Sequence, residues 1–181
     1  MNTNKVNYFQ YVLLILRDPD YVITKSYKGF SKFGLINIIT LFSLFFFHSF
    51  IQETLLLDRS WEIKNILISL KLVFSLFAPF ITVFFLMNWV ATKVIDKQSI
   101  SYYLEKFGAV LFYPTFFLLT SIILQWYNVI GYPWLKNISM IFIYIGIFIV
   151  SYLFAARDNY KISALFVIGF YFASKFLYFA F

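Results

Sequence analysis

The sequence predicts an all-α, polytopic membrane protein: five transmembrane helices preceded by a cytoplasmic amphipathic interfacial helix. Three observations predict it. The chain has 181 residues, 62% of them hydrophobic, and its mean hydropathy is +0.80. A soluble domain is nearer half apolar, and a core this small has too little volume to hide the excess. Five apolar runs approach the roughly 20 residues that cross about 30 Å of hydrocarbon. All eight carboxylates (Asp18, Asp20, Glu53, Asp58, Glu62, Asp96, Glu105 and Asp158) lie outside the cores of those runs.

Residues 1–33 form a segment too polar to span, and 34–181 a transmembrane domain. The run "YVLLIL" followed by "RDPD" does not read as a signal peptide. In "LRDPD", Asp18 can cap a helix, Pro19 suits its first position, and Asp20 complements the positive helix end. Beyond it, Lys25, Lys28 and Lys32 recur at helical spacing, with Val22, Ile23, Tyr27 and Phe30 largely on the other side. That pattern predicts an amphipathic helix on the cytoplasmic leaflet, its lysines toward anionic headgroups.

The spans are "LINIITLFSLFFFHSFI" at 35–51, "LVFSLFAPFITVFFLMNWVAT" at 72–92, "AVLFYPTFFLLTSIILQW" at 109–126, "ISMIFIYIGIFIVSYLFAA" at 138–156 and "ISALFVIGFYFASKFLYFAF" at 162–181. Each is helical because a lone span in lipid must satisfy its own backbone hydrogen bonds. Loops on the N-terminal side carry Lys5, Arg17, Lys25, Lys28, Lys32, Lys93, Lys97, Lys106, Arg157 and Lys161, against Arg59, Lys64, Lys71 and Lys136 on the other. This excess places the N-terminus in the cytoplasm and the C-terminus outside. Trp61, Trp89, Trp126 and Trp134 fall at or near span ends, as interfacial anchors do.

The chemistry excluded is as informative. No cysteine is present, so disulfides, thiol catalysis and thiolate metal sites are excluded. No HExxH motif, GxSxG elbow or phosphate-binding glycine loop appears. No carboxylate sits within a span core, whereas proton- or sodium-coupled carriers usually need an ionisable group inside the membrane. The single histidine, His48, reads as a neutral, hydrogen-bonded residue near the outer end of the first span. No cofactor or metal is implied. The net charge of +7 reflects cytoplasmic lysines rather than nucleic-acid binding, for there is no basic run or nucleic-acid motif.

Lys175 is the one charge well inside a span. Its ammonium can snorkel to the outer interface or meet an anionic lipid or a partner. With Lys25, Lys28 and Lys32 it makes up the candidate lipid-headgroup contacts. Asn37, Ser43, Ser75, Thr82, Asn88, Thr120, Ser121 and Ser151 serve helix packing, with Pro79 and Pro114 as tolerated kinks; the alternative is a polar groove for a headgroup. The polar stretch between the second and third spans, with Trp89, Tyr102, Tyr103, Glu105 and Lys106, reads as a cytoplasmic interface or partner loop. There the tyrosines meet lipid and water and Glu105 is solvated. On that reading Glu105→Gln leaves folding nearly intact, and replacing both tyrosines with Ser disturbs it more.

Several features resemble a known family. A tryptophan closes the second span in "NWVATK", a short basic loop with serines follows, and "YYLEKFGAVLFYP" carries a proline into the third span. With five spans and the segment "YFQYVLLILRDPDYVITKSYKGF", this is similar to the Yip family (Ypt/Rab-interacting membrane proteins), in its small bacterial branch. The resemblance covers most of the chain. It implies a five-helix bundle without known enzymatic activity and supplies no catalytic residues. Eukaryotic relatives bind small GTPases through a longer cytoplasmic N-terminal region, where this chain has only residues 1–33.

The function expected is that of a non-enzymatic integral protein of a bacterial plasma membrane, organising lipid or a membrane-protein partner. The partners expected are membrane lipids, anionic ones among them, and a membrane protein or a second copy of the chain. The alternatives are a transport protein (a lipid-translocating bundle or an exporter's membrane subunit) and an immunity protein against a membrane-active peptide.

Overall fold

A capping box starts the first helix. The Asn7 side chain accepts from the Gln10 amide at 2.8 Å, and the Gln10 side chain accepts from the Asn7 amide at 3.1 Å. In the computed structural model, which describes residues 6–25, 29–56, 62–94 and 98–181, this helix is α1, Tyr8–Arg17. Tyr27, Lys28, Asp58, Arg59, Trp61, Asp96 and Lys97, as well as Lys5, lie outside the described residues. The break at Asp18 is the one expected: its carboxylate accepts from the Tyr21 amide at 3.1 Å, and Pro19 opens α2, Pro19–Thr24.

The lysine stripe is not a feature of one helix. Lys25 is the C-cap of α2, whereas Lys32 lies in the first turn of α3, Phe30–Ile51. Between them Gly29 takes the left-handed conformation at φ 101°, which an L side chain resists and which ends any continuous helix. Both lysines are exposed. The apolar side faces protein: Val22 and Phe30 are buried with Tyr11, Ile15 and Ala109 in a small cluster of their own. The N-terminal helices are thus docked on the bundle.

Every element described is helical. After α3 and a π-helical turn, Gln52–Leu56, come α4 (Ile63–Val94), α5 (Ile100–Val110), α6 (Phe112–Trp126), α7 (Tyr132–Phe154) and α8 (Tyr160–Ala180). Four of them, α3, α4, α7 and α8, are long and apolar enough to cross a membrane, and α5 with α6 makes a fifth candidate bent by 45°. The chain therefore has the helices of a multi-pass membrane protein. Two boundaries differ from expectation. At 32 residues, α4 is about 48 Å long; it begins well before 72 because Asn65 and Ser69 face inward, buried, with the Ser69 hydroxyl on the Asn65 carbonyl. The stretch expected as a loop before 109 is α5, capped by Ser99.

The bend at Leu111 accommodates Pro114. That residue falls in the first turn of α6, where a missing N–H removes no intrahelical bond. The Ser139 hydroxyl donates to the Pro114 carbonyl at 2.8 Å, tying α7 to this turn. At the far end of α7, Arg157 and Asp158 adopt positive φ, and the Asn159 side chain caps α8 by accepting from the amides of Lys161 and Ile162.

The main core brings together Leu41 and Phe45 of α3, Phe80 and Met87 of α4, Tyr103 and Phe107 of α5, and Phe170 of α8. The outward faces are just as apolar: Phe172 and Phe176 of α8 and Phe116 of α6 are all more than half exposed. Helices apolar all round belong in the core of a large protein or in a membrane, and a chain this small has no such core. Trp89, Trp126 and Trp134 also face outward, 61%, 66% and 70% exposed, in positions to anchor span ends.

Candidate functional site

The residues singled out in the stretch between the second and third spans converge on one structure, the seat of the N-terminal helices. It is built on close backbone contact between α3 and α5. A Cβ on Gly108 would lie 1.9 Å from the Gly34 Cα, and one on Gly34 would lie 2.1 Å from the Leu104 carbonyl oxygen. Only two glycines permit this approach. Beside it, Asn37 is wholly buried. Its amide donates to the Gly108 carbonyl at 2.8 Å, and its oxygen accepts from the Tyr8 hydroxyl at 2.5 Å. One α3 side chain thus joins α1 to α5.

Lys106 completes the seat. It is wholly buried, and each of its three N–H donors has an acceptor within reach. The ammonium donates to the Lys25 carbonyl at 2.7 Å, the Glu105 carboxylate at 3.2 Å and the Val22 carbonyl at 3.5 Å. Rings of Tyr102 and Phe154 flank it at 5.1 Å and 5.6 Å. The Val22 and Lys25 carbonyls end α2, where helical acceptors lack intrahelical partners and the helix dipole favours a cation. Desolvating the ammonium costs several kcal/mol; these contacts offset it.

The same logic recurs twice. The Tyr103 hydroxyl donates to the Phe154 carbonyl at 2.9 Å, at the end of α7. The Tyr113 hydroxyl donates to the Ile15 carbonyl at 3.4 Å, at the end of α1. Side chains of α5 and α6 therefore serve the C-terminal ends of three helices. Tyr11 is buried in the seat; burial pushes its phenol up from its ordinary range, and the nearby Glu105 carboxylate pushes it further.

This corrects the solvated-loop expectation. Tyr103 and Lys106 are wholly buried, Glu105 is 4% exposed, and Tyr102 is partly buried. The reason is helical continuity: from Glu105 to Val110 α5 is buried on every side, between the bundle and the docked N-terminal helices. Trp89 takes no part, being exposed on α4 opposite the buried Met87 and Ala91. Lys25 contributes its backbone carbonyl here, while its ammonium lies over the Tyr21 ring at 4.8 Å. Lys32 remains exposed, and Lys175 stands at the other end of the bundle.

Sequence reasoning missed Asn37 as a hub and Lys106 as a latch. The available signals were the small residues Gly34 and Gly108 within otherwise bulky runs. It also missed the partner of His48. That residue is hydrogen-bonded, as expected, and wholly buried, with its Nε2 3.0 Å from the Ser121 hydroxyl. The Ser121 hydroxyl also lies 2.6 Å from the Tyr132 carbonyl and donates to it, so His48, Ser121 and Tyr132 form one hydrogen-bonded node. Gln125 reinforces this node by donating to the His48 carbonyl at 3.2 Å.

Comparison of the chain with protein-family models, curated proteins and solved structures finds no match.

Proposed function

We propose that this chain is a non-enzymatic integral protein of a bacterial plasma membrane that organises lipid or a membrane-protein partner, with its N-terminal helices on the cytoplasmic side. The observation that carries the reading is how the polar groups inside the bundle are used. Asn37, Lys106, Tyr103 and Ser121 each bond another element of the same chain. Ser75, Thr82, Thr120 and Ser151 return their hydroxyls to carbonyls of their own helices. The first set holds helices together and the second is satisfied within its own helix, so neither is left to await a substrate. The resemblance to the Yip family belongs to the same proposal, with the docked α1 and α2 as its cytoplasmic face.

Two experiments test it. Reporters fused after Asp96 and after Phe181 should behave as cytoplasmic and external respectively, because lysine and arginine are in excess on the N-terminal side. The opposite result from both would overturn the orientation. Crosslinking in cells, followed by identification of the captured lipids and proteins, tests the organising role. Pure protein that moves labelled lipid between the leaflets of vesicles would contradict that role and make the chain a transporter.

A further inference from the structure

At the end of the bundle away from α1 and α2, a cleft of about 290 Å³ opens between α3, α4, α7 and α8. Lysines from two helices line it, Lys136 of α7 and Lys175 of α8, together with Ser75, Ser174, Tyr144 and Tyr178. A third, Lys71 of α4, stands at its rim with its ammonium 5.1 Å from the Tyr178 ring. Lys175 lies over the Tyr171 ring at 5.9 Å. Glu53, in the π-helical turn after α3, is the acidic group near Lys136. It leaves the three lysines in excess, and Lys175 has no ion pair among the described residues.

Snorkelling accounts for a single lysine on the outside of a helix. It does not account for two converging on a cleft between four helices. A cation in a span calls for a partner, and the depth says which kind. Lys136 is four residues into α7, about 6 Å along its axis and half a turn past the outward-facing Trp134. Lys175 is a similar distance from the end of α8. A lysine that close to a helix end brings its ammonium to headgroup depth. The remaining wall, Phe45, Leu72, Leu76 and Met140, is apolar and suits the start of an acyl chain. We infer that this cleft binds a phosphate-bearing anion presented at headgroup depth, its negative charge between Lys136 and Lys175. The inference rests on the lipid-organising reading above and gives it a site and a ligand class.

The test uses the full chain in phosphatidylcholine nanodiscs, with spin-labelled phosphatidylglycerol or phosphatidylcholine as the probe. The wild type should prefer the anionic lipid. Each lysine near an anionic headgroup contributes about fivefold, so Lys136→Gln with Lys175→Gln should reduce the preference by more than about tenfold. The paired arginine variant should keep it. Lys175→Gln alone, at an exposed position, should lose about fivefold and serves if the double variant does not fold. Millimolar inorganic phosphate that displaces the probe would assign the site to a free anion, and phosphate without effect would assign it to lipid; either supports the cleft. A preference that survives in folded Gln variants would overturn the site while leaving the lipid-organising reading intact. A wild type with no preference for the anionic probe would overturn the inference itself.

Discussion

Lys106→Met is expected to lower the thermal unfolding midpoint of the protein in detergent by roughly 10 °C. Removing one partner of a buried charge pair costs about 3–5 kcal/mol, because the other charge stays buried without compensation. At this chain length each kcal/mol moves the midpoint by about 2–4 °C. The Val22 and Lys25 carbonyls lose their donor as well. Glu105→Gln should cost less, about 1–3 kcal/mol, since a neutral amide still offers an acceptor to Lys106. It should nevertheless be measurable, contrary to the near silence expected of a solvated carboxylate. The double change, Glu105→Gln with Lys106→Met, should be less damaging than Lys106→Met alone. Additive effects would show that the two side chains are not coupled.

Gly108→Ala should be comparably severe. The added methyl would sit 1.9 Å from the Gly34 Cα and within 2.7 Å of its carbonyl carbon and oxygen. Overpacking typically costs about 1–3 kcal/mol where side chains can shift. Here the obstacle is backbone, so α3 and α5 must separate, and the Asn37 bond to the Gly108 carbonyl separates with them. Gly169→Ala is the matched control. No atom lies within 4 Å of the added methyl, and alanine is the better helix former by about 1 kcal/mol. Thermal unfolding of both variants in the same detergent decides the matter. Equal midpoints would mean that the two helices do not cross at these glycines.

The spans were legible because lipid imposes a long, local pattern. Pro79, inside a helix that stays continuous, and Pro114, at a bend, both fell within the expected runs. The Asp18-Pro19 cap was legible for the same reason, since it involves residues three apart. What could not be read was the partner of each buried polar group. Lys106 meets the Lys25 carbonyl across 81 residues of sequence, His48 meets Ser121 across 73, and Asn37 meets the Gly108 carbonyl across 71. Nothing local marks such pairs. The hydropathy of "SISYYLEKF" is that of a loop, and only the place of α5 between the bundle and the N-terminal helices buries its second half. The lysines at 25 and 32 looked like one stripe because spacing alone does not reveal that Gly29 turns the chain between them.

The central claim is that α1 and α2 are held on the bundle by Lys106 and are not simply resting on a membrane surface. Amide hydrogen exchange over residues 8–25 of the full chain in nanodiscs tests it most directly. The wild type should protect these amides about as well as those at the start of α3. Lys106→Met should release α2 first, with α3 still protected. Rapid exchange of residues 8–25 in the wild type, or unchanged protection of α2 in Lys106→Met, would contradict it.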